Sequence, residues 1–228
     1  PLADEDMHLL SQFQSAHQVV FYLQPGGPDT IAPLDSQVDL FYELPAYGLT
    51  LGFLPGDFTQ VNTEINRKMV AHALKLLDLG PTESVLDLFC GVGNFTLPIA
   101  RYSESVVGVE GDQGLVQRAQ ANAKRNGLSN VEFHAADLYT ELPDQPWLQR
   151  RYDKALLDPP RSGALEVLPL LQKTGVKRIV YVSCYPGTLA RDSGELVHRY
   201  GYQLVSAGVM DMFPHTAHVE SIALFEKA

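Results

Sequence analysis

Positive charge is scarce in this chain: 17 lysines and arginines stand against 27 aspartates and glutamates, for a net charge of −10 at pH 7. Phosphate binding needs Lys and Arg, and the basic residues here cluster no further than pairs, such as Lys124-Arg125 and Lys177-Arg178. Composition by itself therefore points away from nucleic acid. Cysteine is scarcer still. Cys90 and Cys184 are the only two, too few for a four-cysteine zinc site or an iron–sulfur cluster. They lie far apart, each at the end of an apolar run, which suits free thiols in a reducing compartment better than a disulfide scaffold. No run of eighteen uncharged apolar residues occurs, so no membrane span and no membrane partner are expected. The start, Pro1-Leu2-Ala3-Asp4-Glu5-Asp6, is acidic and lacks the layout of a signal peptide. A cytoplasmic monomer is expected. Pro1 stands where an initiator methionine would, so a fragment of a longer protein is expected too.

The 228 residues, 45% of them hydrophobic, suffice for one substantial core and a small appendage. Residues 1–56 read as a β-rich segment. Asp6 to His17 has the spacing of a short helix, and strand-like runs follow at His17 to Leu23, Val38 to Leu44 and Leu49 to Phe53, predicting a small meander. From Asn62 the period becomes helical, through Ile65, Met69, Ala73 and Leu77, to a stop near Gly80-Pro81.

Strands and helices then alternate over 57–228. Strands are predicted at 84–89, 105–110, 131–135, 154–157 and 178–183. Helices are predicted at 95–101, 114–126, 165–174 and 188–200. Residues 202–210 and 219–225 read as a closing pair of strands. This is the pattern of an α/β fold with a mostly parallel sheet, covered on both faces, and a C-terminal antiparallel hairpin at its edge. Ligands of such sheets sit beyond the carboxyl ends of the strands.

The motifs fall at those ends. Asp87-Leu88-Phe89-Cys90-Gly91-Val92-Gly93 runs from strand into a glycine turn, where Gly91 and Gly93 let the backbone approach a ligand. Glu110 ends the next strand, placed to accept hydrogen bonds from two ribose hydroxyls, and Asp137 follows the third. Thr96 stands where a dinucleotide fingerprint needs glycine or alanine. The form D-x-x-x-G-x-G instead resembles motif I of class I methyltransferases, which use S-adenosylmethionine. A glycine turn with a surface glutamate is the bland alternative. Beyond the fourth strand comes Asp158-Pro159-Pro160-Arg161, resembling the rigid loop that holds a planar base in amino-methyltransferases.

Cys184 separates the chemistries. Carbon 5 of a pyrimidine is too weak a nucleophile to attack a sulfonium methyl, but a thiolate adding to carbon 6 activates it, and a base must then remove the carbon 5 proton. The alternative for Cys184 is a small buried apolar residue, which is how Cys90 reads. For Glu220 the alternative is an ordinary edge-strand acid.

Together with Phe58-Thr59-Gln60-Val61-Asn62, Ser183-Cys184-Tyr185-Pro186-Gly187-Thr188-Leu189-Ala190-Arg191-Asp192 and Asp211-Met212-Phe213-Pro214-His215-Thr216-Ala217-His218-Val219-Glu220, these motifs resemble the RNA uracil-5-methyltransferase family. The likeness is greatest to its bacterial members acting on 23S ribosomal RNA, and it runs from about Gly56 to the C-terminus. The resemblance implies that Cys184 is the nucleophile and Glu220 the proton-abstracting base. It implies S-adenosylmethionine contacts at Gln60, Phe89, Gly91, Gly93, Asn94, Glu110, Asp137 and Asp158, with Asp158 also near the uracil. It implies 23S ribosomal RNA as partner. It further implies that residues 1–56 are the tail of a central domain, and that the basic RNA grip and an iron–sulfur cluster belong to a longer protein. Tyr185 departs from the common Ser-Cys-Asn-Pro form of the family, standing where Asn is usual. His215 and His218 are two histidines without a matching cysteine pair, so no metal is expected. Two readings compete: an RNA cytosine-5-methyltransferase, which has a cysteine in the Asp-Pro-Pro-like loop as well, and a non-catalytic S-adenosylmethionine-binding module that docks on RNA or a partner.

Overall fold

The structure, a computed structural model, describes residues 2–35, 38–140, 142 and 145–227; Pro1 lies outside them. The chain divides into two compact units, 1–42 with 52–59, and 43–51 with 60–228.

The smaller unit opens with helix α1 (Asp4–His17), whose first turn carries Asp4, Glu5 and Asp6 against the positive end of the helix dipole. Two-residue strands β1 (Tyr22–Leu23) and β2 (Ala32–Pro33) pair antiparallel. A separate two-stranded sheet joins β3 (Leu40–Leu44) to β4 (Leu49–Phe53), its turn end belonging to the larger unit. The predicted meander is thus replaced by two unconnected ribbons. Of the run from His17 to Leu23 only Tyr22–Leu23 forms a strand, because the helix continues through His17, with Gln18 left-handed at its cap. None of the described residues of this unit is buried, so it has no core of its own.

The larger unit begins with α2 (Thr63–Leu77). The Asn62 side chain caps it by accepting from Ile65 N at 3.2 Å, and Met69, Val70, Ala73 and Leu77 form its buried stripe. The alternating strands follow: β5 (Ser84–Leu88), β6 (Ser105–Glu110), β7 (Val131–Ala135), β8 (Lys154–Leu157) and β9 (Arg178–Ser183). Between them run α3 (Thr96–Ala100), α4 (Gln113–Arg125), α5 (Leu168–Lys173) and, after β9, α6 (Pro186–His198). The predicted helix 165–174 is a 3-10 turn at Leu165–Val167 followed by α5, with Pro169 in the first turn of α5. Likewise α6 starts at Pro186, two residues early, because proline suits a first helical turn.

Strands β10 (Tyr202–Met210) and β11 (Glu220–Lys227) complete one seven-stranded sheet in the order β10-β11-β9-β8-β5-β6-β7. Strands β5 to β9 are mutually parallel, and β11 lies antiparallel between β9 and β10. The predicted α/β architecture with a C-terminal antiparallel hairpin at the sheet edge is what forms. After β5 the chain builds outward to β7, then returns to add β8 on the other side. Parallel strands that diverge in this way leave a crevice at their carboxyl ends. Two consequences fix the site. The β5 turn and the β8 loop flank that crevice, and β11 begins where β9 ends, because Ser221 pairs with Ser183. Leu86, Leu88, Leu157, Trp147, Tyr181 and Phe225 anchor the core beneath.

Candidate active site

At the end of β5 the backbone turns through Phe89 (φ 65°) and Gly91 (φ 54°). A side chain at Gly91 would meet nothing within 4 Å, so open space lies over the turn at that point. Glu110 braces it: one carboxylate oxygen accepts from Gly91 N at 3.1 Å and the other from Asp112 N at 3.2 Å. Asp87 is fully buried beneath, with one oxygen taking the Thr96 hydroxyl at 2.5 Å and the other without a partner. Burial and the neighbouring Glu110 push the Asp87 carboxyl up to about 7, against the downward pull of Thr96. Gln60 Oε1 is a second buried oxygen without a partner. Asn94 forms a two-way amide pair with Asn66 of α2, at 2.9 and 3.0 Å. Phe89, half-buried, meets Tyr139 at 5.7 Å between ring centroids. Asp137 is exposed and accepts from Tyr139 N at 3.0 Å. Gly93 (φ 97°) ends the turn.

The unsatisfied oxygen of Asp87 in this turn and the carboxylates of Glu110 and Asp137 at the neighbouring strand ends are acceptors. A ligand carrying hydroxyls, an ammonium and a positive sulfonium fits such a lining, whereas a pyrophosphate needs donors. The residues present therefore suit S-adenosylmethionine better than a dinucleotide.

The second half of the crevice is built from three strand ends. Asp158 leaves β8, Cys184 leaves β9, and Glu220 opens β11. Because Ser183 and Ser221 are ladder partners, the residues just beyond them, Cys184 and Glu220, stand at the same end of the β9–β11 ladder. Glu220 is only 2% exposed, and burial pushes it up to about 7. Asp158, raised first by burial and then by Glu220 and Asp87, reaches about 8. Burial also raises the Cys184 thiol, with Glu220 and Asp158 adding to the effect and Arg161 opposing it. Glu220 and Asp158, both raised into the neutral range beside each other, keep part of their protons near neutrality. Such a group can both deliver and accept a proton at neutral pH.

The Asp158–Gly163 loop is held from two sides. Asp192, buried on α6, accepts from Ala164 N and from the Tyr181 hydroxyl, both at 2.7 Å, and pairs with Arg191. Arg191 donates onward to Ser162 O at 2.9 Å. From the other side Tyr139 donates to Gly163 O and accepts from Ser162, each at 2.9 Å. A side chain at Gly163 (φ 85°) would be strained and would push aside the bracing groups, since a Cβ there would fall 2.6 Å from both Arg191 and Asp192. Asp192, Tyr139 and Asn66 were not predicted as site residues. Asn66 and Asp192 do leave a trace, being polar residues on the buried stripes of α2 and α6; Tyr139 leaves none.

Of the predicted residues, Cys184, Glu220 and Asp158 are brought together, and Phe89, Gly91, Gly93 and Glu110 share the glycine turn with its strand neighbour. Cys90 is buried in that turn, with its thiol raised by burial and by Asp87 and Glu110. His215 and His218 are exposed, and no group of three or more metal-ligating side chains occurs among the described residues. No helix among the described residues is long and apolar enough to cross a membrane.

Residues 48–228 match the family described as tRNA (Uracil-5-)-methyltransferase. The chain belongs to this family. Along its whole length it is 59% identical to the 23S rRNA (uracil(1939)-C(5))-methyltransferase RlmD of Stenotrophomonas maltophilia, covering 51% of that protein. It is 58% identical to the protein of the same name in Alkalilimnicola ehrlichii, covering 52%. It thus spans about half the length of these curated relatives. Among solved structures, the tRNA (uracil-54, C5)-methyltransferase of Pyrococcus abyssi in complex with S-adenosyl-L-homocysteine superposes with a TM-score of 0.73 at 26% identity, over 90% of this chain and 50% of that one. The M. jannaschii protein TYW2, in complex with AdoMet, shares the fold with a TM-score of 0.64 at 18% identity, over 92% of this chain and 93% of that one.

Proposed function

We propose that this uracil-5-methyltransferase family member methylates carbon 5 of a uridine in 23S ribosomal RNA, with S-adenosylmethionine as methyl donor and Cys184 as covalent nucleophile. The observation that carries the reading is the convergence of Cys184, Glu220 and Asp158 on one sheet end, beside the open glycine turn. The names borne by the relatives at 58–59% identity support the ribosomal substrate.

Glu110, Gly91, Gly93, Phe89, Asn94, Gln60, Asp137 and Asp158 would hold S-adenosylmethionine, which supplies an electrophilic methyl on a sulfonium. The chain's own residues do the rest. Cys184 Sγ bonds to carbon 6 of the uracil, and the electron pair of the 5,6 double bond moves onto carbon 5 and its carbonyl. That carbon would take the methyl, whose bond to sulfur breaks with the electron pair left on sulfur. Glu220 then takes the carbon 5 proton, the 5,6 double bond reforms, and the Cys184 thiolate leaves. The Asp158-Pro159-Pro160 loop contains no thiol, which favours uracil chemistry through Cys184 over the cytosine alternative. The protein is further read as a cytoplasmic monomer.

The direct test incubates the protein with methyl-labelled S-adenosylmethionine and 23S ribosomal RNA lacking the modification. Label recovered as 5-methyluridine is expected. Label in 5-methylcytidine, or none with cofactor bound, overturns the proposal. On the cofactor side, Glu110→Ala should weaken binding by about 1–3 kcal/mol, the loss of charge-assisted hydrogen bonds to a ligand together with the brace on Gly91 N. Unchanged affinity by calorimetry removes Glu110 from the site.

A further inference from the structure

We propose that Tyr185 and Arg161 form a subsite for the nucleotide flanking the target uridine, the phenol ring stacking on its base and the guanidinium pairing with its phosphate. The inference rests on the methyltransferase reading above and extends it to RNA recognition.

Tyr185 directly follows the nucleophile, and 44% of it is exposed. It occupies the N-cap position of α6 and makes no side-chain capping bond. Ser, Thr, Asp and Asn are favoured at such positions because their side chains satisfy a free helix N–H. A large exposed aromatic there gives up the cap and contributes nothing to the core. A local rule broken without a structural return marks a position kept for another purpose.

The backbone that carries the ring is also held in place. Tyr185 N donates to Ser183 Oγ at 3.1 Å, and its carbonyl accepts from Ser183 Oγ at 3.1 Å and Thr188 Oγ1 at 3.0 Å. The ring lies so close to Gly187 that a Cβ there would stand 2.9 Å from Cε1. A pre-positioned ring loses little entropy when a base stacks on it.

Arg161 supplies the charge. Its Cζ lies 5.1 Å from the Tyr185 ring centroid, and its charge is felt at the Cys184 thiol. Arg67, Arg150, Arg178, Arg191 and Arg199 each pair with a carboxylate. Arg161, like Arg101, Arg125 and Arg151, has no carboxylate partner among the described residues, but it alone of these lies over an aromatic ring next to the nucleophile. An exposed guanidinium free of acids, stacked on an aromatic beside a nucleophile, has the chemistry that grips a single-stranded nucleotide: a π-face for the base and a fork of N–H donors for the phosphate.

The test compares Tyr185→Ala, Tyr185→Phe and Arg161→Gln in the protein, on short RNA containing the target uridine. Tyr185→Ala should raise the KM for RNA about tenfold or more, with the loss in KM rather than kcat, and Tyr185→Phe should restore it. Arg161→Gln should lower the slope of log KM against log salt by about one. An abasic nucleotide on one side of the uridine should weaken wild-type binding and add no further penalty to Tyr185→Ala. Calorimetry with S-adenosylhomocysteine checks that the variants fold; if Tyr185→Ala does not, Tyr185→Leu, which keeps bulk without a π-face, carries the same comparison. Additive penalties in that cycle, or an unchanged KM, overturn the subsite while wild-type methylation stands. A wild-type protein that methylates no uridine RNA overturns the underlying reading instead.

Discussion

Replacing Cys184 by alanine is expected to abolish methyl transfer, by at least about a thousandfold, because no other group near the uracil can add to carbon 6. The same change should abolish the denaturant-stable complex with RNA carrying 5-fluorouridine at the target. Fluorine at carbon 5 cannot leave as a cation, so the wild-type protein adds, methylates and then stalls with the base still bonded to Sγ. The structure offers one competing thiol. Cys90 is 5% exposed inside the glycine turn, and its burial beside Asp87 and Glu110 holds it protonated. Cys184 is half-buried at the mouth, where Arg161 offsets part of the rise caused by burial, Glu220 and Asp158. Cys90→Ser should therefore still yield the trapped complex, identified by mass on a peptide containing Cys184. A trapped band that survives in Cys184→Ala would remove Cys184 as the nucleophile.

How much of this was legible beforehand depended on whether local pattern or long-range pairing decides each part. Strands β5, β6, β8 and β9 were readable because each is a short, largely apolar run, much of it buried on both faces, whereas the edge strand β7, Val131–Ala135, shows alternation instead. The caps at Asn62 and Asp112 are local as well, each side chain accepting from the backbone N–H three residues on, though neither was read as a cap. The N-terminal ribbons were not, since Ala32–Pro33 has no alternating pattern and becomes a strand only by pairing with Tyr22–Leu23. The glycine turn and its acid, Glu110, were legible as motifs on consecutive strands. The meeting of Cys184 and Glu220 was not, because strand order carries no sequence period. It depends on β11 entering the sheet antiparallel beside β9 rather than following β10 outward. Only the family resemblance supplied that pairing in advance, and the register of Ser183 with Ser221 gives its physical cause. The loop braces illustrate the remainder: Tyr139 reaches Gly163 across 24 residues with nothing in either segment to announce it.

The burial that hides Glu220 also decides which step it can serve. Glu220→Gln is expected to leave addition and methyl transfer possible but to stall removal of the carbon 5 proton, so a methylated covalent complex should accumulate with ordinary uridine RNA. Glutamine keeps the shape and the hydrogen-bonding carbonyl but cannot take a proton. Turnover should fall at least about a hundredfold, the lower range for losing a positioned general base. The pH dependence carries the same assignment. With its carboxyl pushed up to about 7 by burial, Glu220 is largely protonated at pH 6 and ionised at pH 8. Only the ionised form accepts the proton, so release of the wild-type intermediate should speed up as pH rises through about 7. Glu220→Gln should lose that rising limb altogether, because the group that titrates is gone. The measurement is single-turnover methylation on denaturing gels from pH 6 to 8, with intact mass of the shifted band. If Glu220→Gln gives no methylated complex and instead fails before addition, Glu220 acts on the Cys184 thiol, not on carbon 5. If the complex forms but its decay in wild type is flat across that range, a different group removes the proton, and the neighbouring Asp158, raised to about 8, is the one to replace next.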